Sequence, residues 1–275
     1  MLRLVRCFLA RTTPPSPLSE GTAFDSRRQP DPGSAEHDEM DQYRTAYMSI
    51  VGGLLWLANM TFPELSYPAS QLARFLTNPA MEHYQAAMRV LTYVSQSRTR
   101  RLRFAPDVTR GFEVYVDSSW ATRFSCSGAM YFFHGCLFHW FSKMQHSVSL
   151  SSAEAEFFGA MLAAKDLLFL RDLFSALSIA LGGATVVYSD SKSAVDMSLD
   201  PVAFKNTKHI LRAAEFLRDL VAKEVLRLEH ISGTYMLADL LTKAVSRPIF
   251  LQLMELLDAY ARTGVSALHS FLIRV

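Results

Sequence analysis

The sequence predicts an α/β protein: a mixed five-stranded sheet with flanking helices, preceded by a small α-helical unit. Three observations predict it. Apolar residues recur at helical spacing from about residue 41 to residue 95, and after Arg110 the period drops to two. Beyond that point short apolar runs alternate with helical stretches in the order βββ α β α α β α, a succession that lays helices against a sheet. A hydrophobic content of 50% over 275 residues supplies the apolar surface for a real core.

Residues 12–40 are dense in Pro, Ser, Gly and acids with no apolar period, so 1–40 reads as a disordered linker without core residues. The first eleven residues mix Arg3, Arg6 and Arg11 with apolar side chains, and an arbitrary start within a longer frame is preferred over an organellar presequence. Tyr47, Ile50, Val51, Leu54, Leu55 and Leu57 share helical spacing, as do Ala69, Leu72, Ala73, Phe75 and Leu76. A third helix is expected over 79–95 through Tyr84, Ala87, Val90 and Leu91, and the three make a helical unit over 41–108. The first strand carries Phe112, Val114 and Val116 on one face and Glu113, Tyr115 and Asp117 on the other. Strand candidates at 128–133 and 136–142 meet at His134-Gly135, which suits a tight hairpin turn. A long helix over 152–177, a strand at 184–188, helices at 192–199 and 207–223, a strand at 225–230 and a last helix from Tyr235 complete a sheet domain over 110–245. A helical tail is expected over 246–275.

Net charge is only +2, so any nucleic-acid contact must come from local basic clusters and not from a global field. Three cysteines, Cys7, Cys126 and Cys136, form no C-x-x-C pair, which argues against a disulfide framework and a zinc site. A reducing intracellular compartment, cytoplasmic or nuclear, is the expectation. The longest mostly apolar stretch, 128–141, is broken by His134 and His139 and falls short of the ~20 residues that span a bilayer. No membrane partner and no small-molecule cofactor are expected.

Four carboxylates stand at strand or helix edges: Asp117 in Val-Tyr-Val-Asp, Glu156 in Ser-Ser-Ala-Glu-Ala-Glu, Asp190 in Val-Val-Tyr-Ser-Asp-Ser and Asp239 in Leu-Ala-Asp-Leu-Leu-Thr-Lys. Hydrolysis of a phosphodiester by paired Mg²⁺ needs several oxygen ligands around ions roughly 3.5–4 Å apart, which clustered Asp and Glu supply. Each carboxylate alone has a plainer role: Asp117 capping a turn, Asp190 capping the next helix, Asp239 complementing a helix dipole. At the long helix the two roles separate. Ser151 and Glu154 fit a capping box, whereas Glu156, about 200° round the helix from Glu154, shares its side with the small residues Ala160 and Ala163. Glu156 is therefore read as the ligand and Glu154 as the cap.

The order Asp, Glu, Asp, Asp in these contexts resembles ribonuclease H, and the stretch from Tyr43 to about Leu257 is similar to the C-terminal part of a copia-type (Ty1/copia) retrotransposon Pol polyprotein. Further matching stretches are Ser49-Ile-Val-Gly-Gly-Leu-Leu-Trp-Leu-Ala58, Arg74-Phe-Leu-Thr-Asn-Pro79, Arg89-Val-Leu-Thr-Tyr-Val94, Ser142-Lys-Met-Gln145 and Thr207-Lys-His-Ile210. The resemblance implies a ribonuclease H-like fold after a reverse-transcriptase thumb or connection element. It also implies endonucleolytic hydrolysis of the RNA strand of RNA/DNA hybrids, with Asp117, Glu156, Asp190 and Asp239 holding two Mg²⁺ (Mn²⁺ as a substitute). The implied partners are the hybrid itself and the polymerase palm of a longer polyprotein. The palm's paired aspartates are missing, so no polymerase activity is expected of this chain. Thr61-Phe-Pro-Glu-Leu-Ser stands where the family usually carries Arg-Pro-Asp, and the loop 232–238 lacks the histidine of cellular and retroviral ribonucleases H, with His230 nearby on the preceding strand.

The densest basic cluster, Arg98, Arg100, Arg101 and Arg103, is expected either to grip phosphates at a hinge or to be a solvated linker. Lys192, Lys205, Lys208 and His209 extend the same expectation. Two alternatives stay open: an inactive retrotransposon relic that only binds nucleic acid or serves as a scaffold, and an integrase or transposase, which the Glu156 and Asp239 contexts fit poorly.

Overall fold

The computed structural model describes residues 16–22, 24, 29–120, 125–145, 148–199 and 211–260. Among these, one compact unit runs to Leu102 and takes in Lys243–Leu251, and a second runs over Arg103–Thr242 and resumes at Gln252.

In the first unit, helix α1 (Ala35–Met60) starts six residues before the periodicity set it. The start has a local cause: the Ser34 side chain accepts from the His37 N–H, and Glu36 and Asp38 lie in the first turn, where acids favour the helix dipole. Met40 and Leu18 are buried, so the expectation that 12–40 contributes no core residue is corrected. Met40 falls seven residues before buried Tyr47 on the same helix face, a pattern masked by the acids between them. Helices α2 (Ser66–Ala73) and α3 (Met81–Gln96) complete the bundle, and the buried Tyr47 hydroxyl donates to the Leu72 carbonyl at 2.7 Å. Glu64, from the segment that departs from Arg-Pro-Asp, is buried and accepts from the Tyr93 hydroxyl at 2.9 Å and from Arg100 Nη1 at 3.1 Å. Burial and the Glu64 charge raise the Tyr93 pKa above the usual phenol range, which keeps that hydroxyl a donor.

The second unit is built on five strands: β1 (Phe112–Ser119), β2 (Cys126–Phe133), β3 (Cys136–Met144), β4 (Thr185–Ser189) and β5 (Leu226–His230). They lie in the order β3-β2-β1-β4-β5. β2 is antiparallel to both neighbours, while β1, β4 and β5 are parallel. The β2–β3 hairpin turns at His134 and Gly135, both with positive φ (50° and 76°), as a two-residue turn between right-twisted strands requires.

Helix α4 (Ser152–Ala176) crosses one face of the sheet, where Val114, Val116, Tyr131, Val187 and Leu228 pack with Phe157, Ala160, Ala163, Ala164 and Leu167. Helix α6 (Leu211–Ala222), which follows the short α5 (Lys192–Leu199), adds Ala214, Leu217 and Leu220 to the same core. The first four residues of the helix expected over 207–223 lie outside the described residues. The alternating strand pattern leaves Tyr115, Phe132 and Tyr188 on the other face, where Tyr260 joins them.

The last helix does not begin at Tyr235. Two 3-10 turns, Gly233–Tyr235 and Leu237–Leu241, come first, and the α-helix α7 spans Arg247–Tyr260. The reason is burial on every side: Leu237, Ala238, Asp239, Leu240 and Leu241 are all buried, so this segment packs as a tight turn rather than presenting one face of a helix. Pro248, suited to a first helical turn, fixes where the α-helix starts.

Candidate functional site

Asp117 lies near the carboxyl end of the central strand β1, paired with Gly128 of β2 and 1% exposed. Asp190 follows the last residue of the parallel neighbour β4. The sheet order therefore sets these two carboxylates side by side at the carboxyl ends of adjacent parallel strands, where open α/β sheets place ligands. Asp239 comes from the 3-10 turn beyond β5. Gly128 allows that turn to approach: a Cβ there would lie 2.5 Å from Leu241 Cβ and 3.0 Å from Thr242 Cγ2. The Thr242 hydroxyl then donates to Asp117 Oδ2.

One ligand oxygen from each of Asp117, Asp190 and Asp239 falls within 4.8 Å of the others. Three ionised carboxylates at that spacing repel one another by on the order of 3 kcal/mol per pair at an effective dielectric near 20. A cation at their centre removes that cost. An all-oxygen donor set of three carboxylates suits a hard cation better than zinc. The residues present fit such an ion.

Glu156 reaches the same strand end by another route. Its Oε2 accepts the backbone N–H of Ser118 at 3.1 Å, which sets it beside Asp117 but outside the three-carboxylate cluster. Glu154 is buried and closes the helix start: its Oε2 accepts the Leu150 N–H at 2.7 Å, and its own N–H donates to Ser151 Oγ at 3.2 Å. Ser191 caps α5 by accepting from the Ala194 N–H at 3.2 Å, and Asp239 sits in the first turn of a 3-10 helix rather than an α-helix. The His230 ring lies 3.2 Å from the Asp190 carbonyl oxygen.

The basic cluster divides. Arg98, Arg101 and Arg103 are exposed, whereas Arg100 is partly buried and pairs with buried Glu64 through Nη1 at 3.1 Å. Lys192 is exposed at the start of α5, two residues after Asp190. Lys205, Lys208 and His209 lie outside the described residues.

Sequence reasoning did not single out Thr242, Ser118 or Ser127, and it gave Gln145 no role. All four are buried polar residues, Ser118, Ser127 and Gln145 at or next to strand ends and Thr242 at the end of the 3-10 turn that bears Asp239. Among the described residues no helix is long and apolar enough to cross a membrane.

No protein-family model matches the chain. It is 30% identical over 243 residues, 87% of its length, to the retrovirus-related Pol polyprotein from transposon RE1 of Arabidopsis thaliana. It is 32% identical over 224 residues, 79% of its length, to the corresponding polyprotein from transposon TNT 1-94 of Nicotiana tabacum. The chain spans only 16% and 17% of those relatives. Similar solved structures include LC11-RNase H1 in complex with RNA/DNA hybrid (17% identity, 48% of this chain, 93% of that one, TM-score 0.36). Another is the foamy viral protease-reverse transcriptase in complex with RNA/DNA hybrid (15% identity, 73% of this chain, 27% of that one, TM-score 0.41). The ribonuclease H-like assignment rests on the strand order and directions of the sheet, not on these scores.

Proposed function

Because this chain belongs by homology with the retrovirus-related Pol polyproteins of copia-type transposons, we propose that its sheet domain, 110–245, is the ribonuclease H of such a polyprotein, hydrolysing the RNA strand of RNA/DNA hybrids. The helical unit, 41–108, is on this reading the end of the reverse transcriptase that precedes it. The observation that carries the proposal is the convergence of Asp117, Asp190 and Asp239 at the carboxyl ends of adjacent parallel strands.

Divalent ions such as Mg²⁺ supply, when bound, Lewis-acid stabilisation of charge on the phosphate and of the attacking and leaving oxygens. The chain's own part is to hold ligands at fixed separations. Asp117, Asp190 and Asp239 present the carboxylates, with Glu156 completing the set beside Asp117. The Thr242 hydroxyl orients Asp117, because a carboxylate oxygen that accepts it points its remaining lone pairs in a set direction. Lys192, near Asp190, and the exposed Arg98, Arg101 and Arg103 give salt-dependent affinity for phosphates without reading sequence. Preference for a hybrid comes from its shape and the 2′-hydroxyls of its RNA strand. Cys126 and Cys136, buried and in no disulfide, suit a reducing compartment.

The test is cleavage of a labelled RNA/DNA hybrid with Mg²⁺ or Mn²⁺, with single-stranded RNA as control and Asp117→Asn alongside. Hybrid-specific cleavage that falls at least about 10³-fold in Asp117→Asn is expected, as for loss of a principal electrostatic group. Absence of cleavage by well-folded protein with either metal overturns the proposal and leaves the inactive relic.

A further inference from the structure

The segment Ser142-Lys-Met-Gln145 has no part in the reading above, yet its last residue is one of the most fully bonded side chains of the second unit. Gln145 is 4% exposed. Its amide nitrogen donates to Ser127 Oγ and to the Ala155 carbonyl, both at 2.8 Å, and its amide oxygen accepts from Ser149 Oγ at 2.8 Å. A carbonyl only accepts, so the Ala155 contact fixes which end of the amide is nitrogen, and both of its N–H groups are used.

Each partner leads to the carboxylates. Ala155 immediately precedes Glu156 in the first turn of α4. Ser127 shares a hydrogen bond with Ser118 Oγ at 2.9 Å, and Ser118 both follows Asp117 and donates its N–H to Glu156. Ser149 accepts the Trp120 indole N–H on its carbonyl at 3.0 Å, which ties the end of the Asp117 segment to the same node. The stretches 117–120 and 125–127 are thus joined to the distant 149–156 through one amide that touches none of the carboxylates.

We propose that Gln145 is a positioning residue of this site: held between the Ala155 carbonyl on one side and Ser127 and Ser118 on the other, it sets the separation of Glu156 from Asp117. The inference rests on the nuclease reading, since it takes these carboxylates as cation ligands. Groups behind a ligand act by fixing its orientation, and their loss weakens metal affinity by roughly 10–100-fold.

The test is Mn²⁺ binding, followed by the electron paramagnetic resonance of free Mn²⁺, in the wild-type chain, Gln145→Met, Ser127→Ala and Tyr131→Phe. Gln145→Met keeps the length of the side chain and deletes its hydrogen bonds, and Ser127→Ala cuts the same path with a smaller change. Tyr131→Phe is the control: it removes a buried hydrogen bond to the Ala163 carbonyl, farther along the same helix, so it matches a plain loss of packing polarity. Mn²⁺ affinity is expected to fall about 10-fold or more in Gln145→Met and Ser127→Ala and to stay within about 2-fold in Tyr131→Phe. Equal affinity in all four proteins, or an equal fall in Tyr131→Phe, overturns the positioning role. Hybrid cleavage is measured beside it: a wild-type chain that binds Mn²⁺ and cleaves nothing sinks the nuclease activity while the affinity series still decides Gln145. A wild-type chain that takes up no Mn²⁺ overturns both.

Discussion

At the scale of single residues, Thr242 shows how closely the site depends on groups other than its ligands. It is fully buried, and its hydroxyl is given to Asp117, a residue 125 positions earlier. Thr242→Val keeps the shape and deletes the donor, leaving a buried carboxylate short of one charge-assisted hydrogen bond. A loss of about 1.5–3 kcal/mol is expected in urea unfolding of the second unit, and an unchanged midpoint would show that the bond contributes nothing. Asp117 was singled out only as one of an ordered set of four acids, because a lone acid that ends a strand more often caps a turn. Glu154 and Glu156 were separable, since helix geometry forbids both from facing one way. Thr242 and Gln145 were not legible, because their partners are brought near only by the folded sheet. The pairing of Arg100 with Glu64 was hidden in the same way, since a basic run carries no mark of the buried acid that meets one member of it.

At the scale of elements, the contact of α4 with β1 sets the spacing of the site. At Gly159 the two lie close: a Cβ added there would stand 2.1 Å from Ser118 Oγ, 3.3 Å from Ser127 Oγ and 3.4 Å from Ser118 Cβ. Gly159→Ala therefore forces the helix away from the strand, with an expected cost of about 2–3 kcal/mol in thermal or urea unfolding. Ser118→Ala in the same chain removes the nearest atom and leaves Ser127 Oγ at 3.3 Å and the Cβ of residue 118 at 3.4 Å, so the double variant should recover part of that loss. Additive losses would show that the clash is not the cause. The close approach was foreshadowed by Ala160 and Ala163 on the Glu156 side of the helix, although Gly159 itself carried no signal. The 3-10 turn bearing Asp239 was hidden because a run of Leu and Ala reads as helix. Only the fold reveals that apolar neighbours surround it on all sides.

At the scale of the whole molecule, two units with separate cores imply two responses to a ligand. All four candidate carboxylates belong to the second unit. Mg²⁺ at about 100 times its Kd stabilises the folded state by about 2.7 kcal/mol, which for a unit of this size raises Tm by roughly 5–10 °C. Calorimetry of the full chain is expected to show one transition that climbs with Mg²⁺ and one that does not, and the climb should vanish in Asp117→Asn. A uniform shift of the whole trace would assign the ion elsewhere. The division into a helical part and a sheet part was readable from the change of period near Arg110, whereas the return of 243–251 to the first unit was not, since nothing local marks a segment that goes back across the chain. The wide sequence separation within the site also orders events in time. Asp117 is made early and Asp239 more than a hundred residues later, and contacts of such high order form last. During synthesis, β1, β2, β3 and α4 leave the ribosome before the turn at 237–241. A nascent chain thus brings out Asp117, Glu156 and Asp190 before Asp239, so on the proposed reading the set of carboxylates is completed only by its last segment.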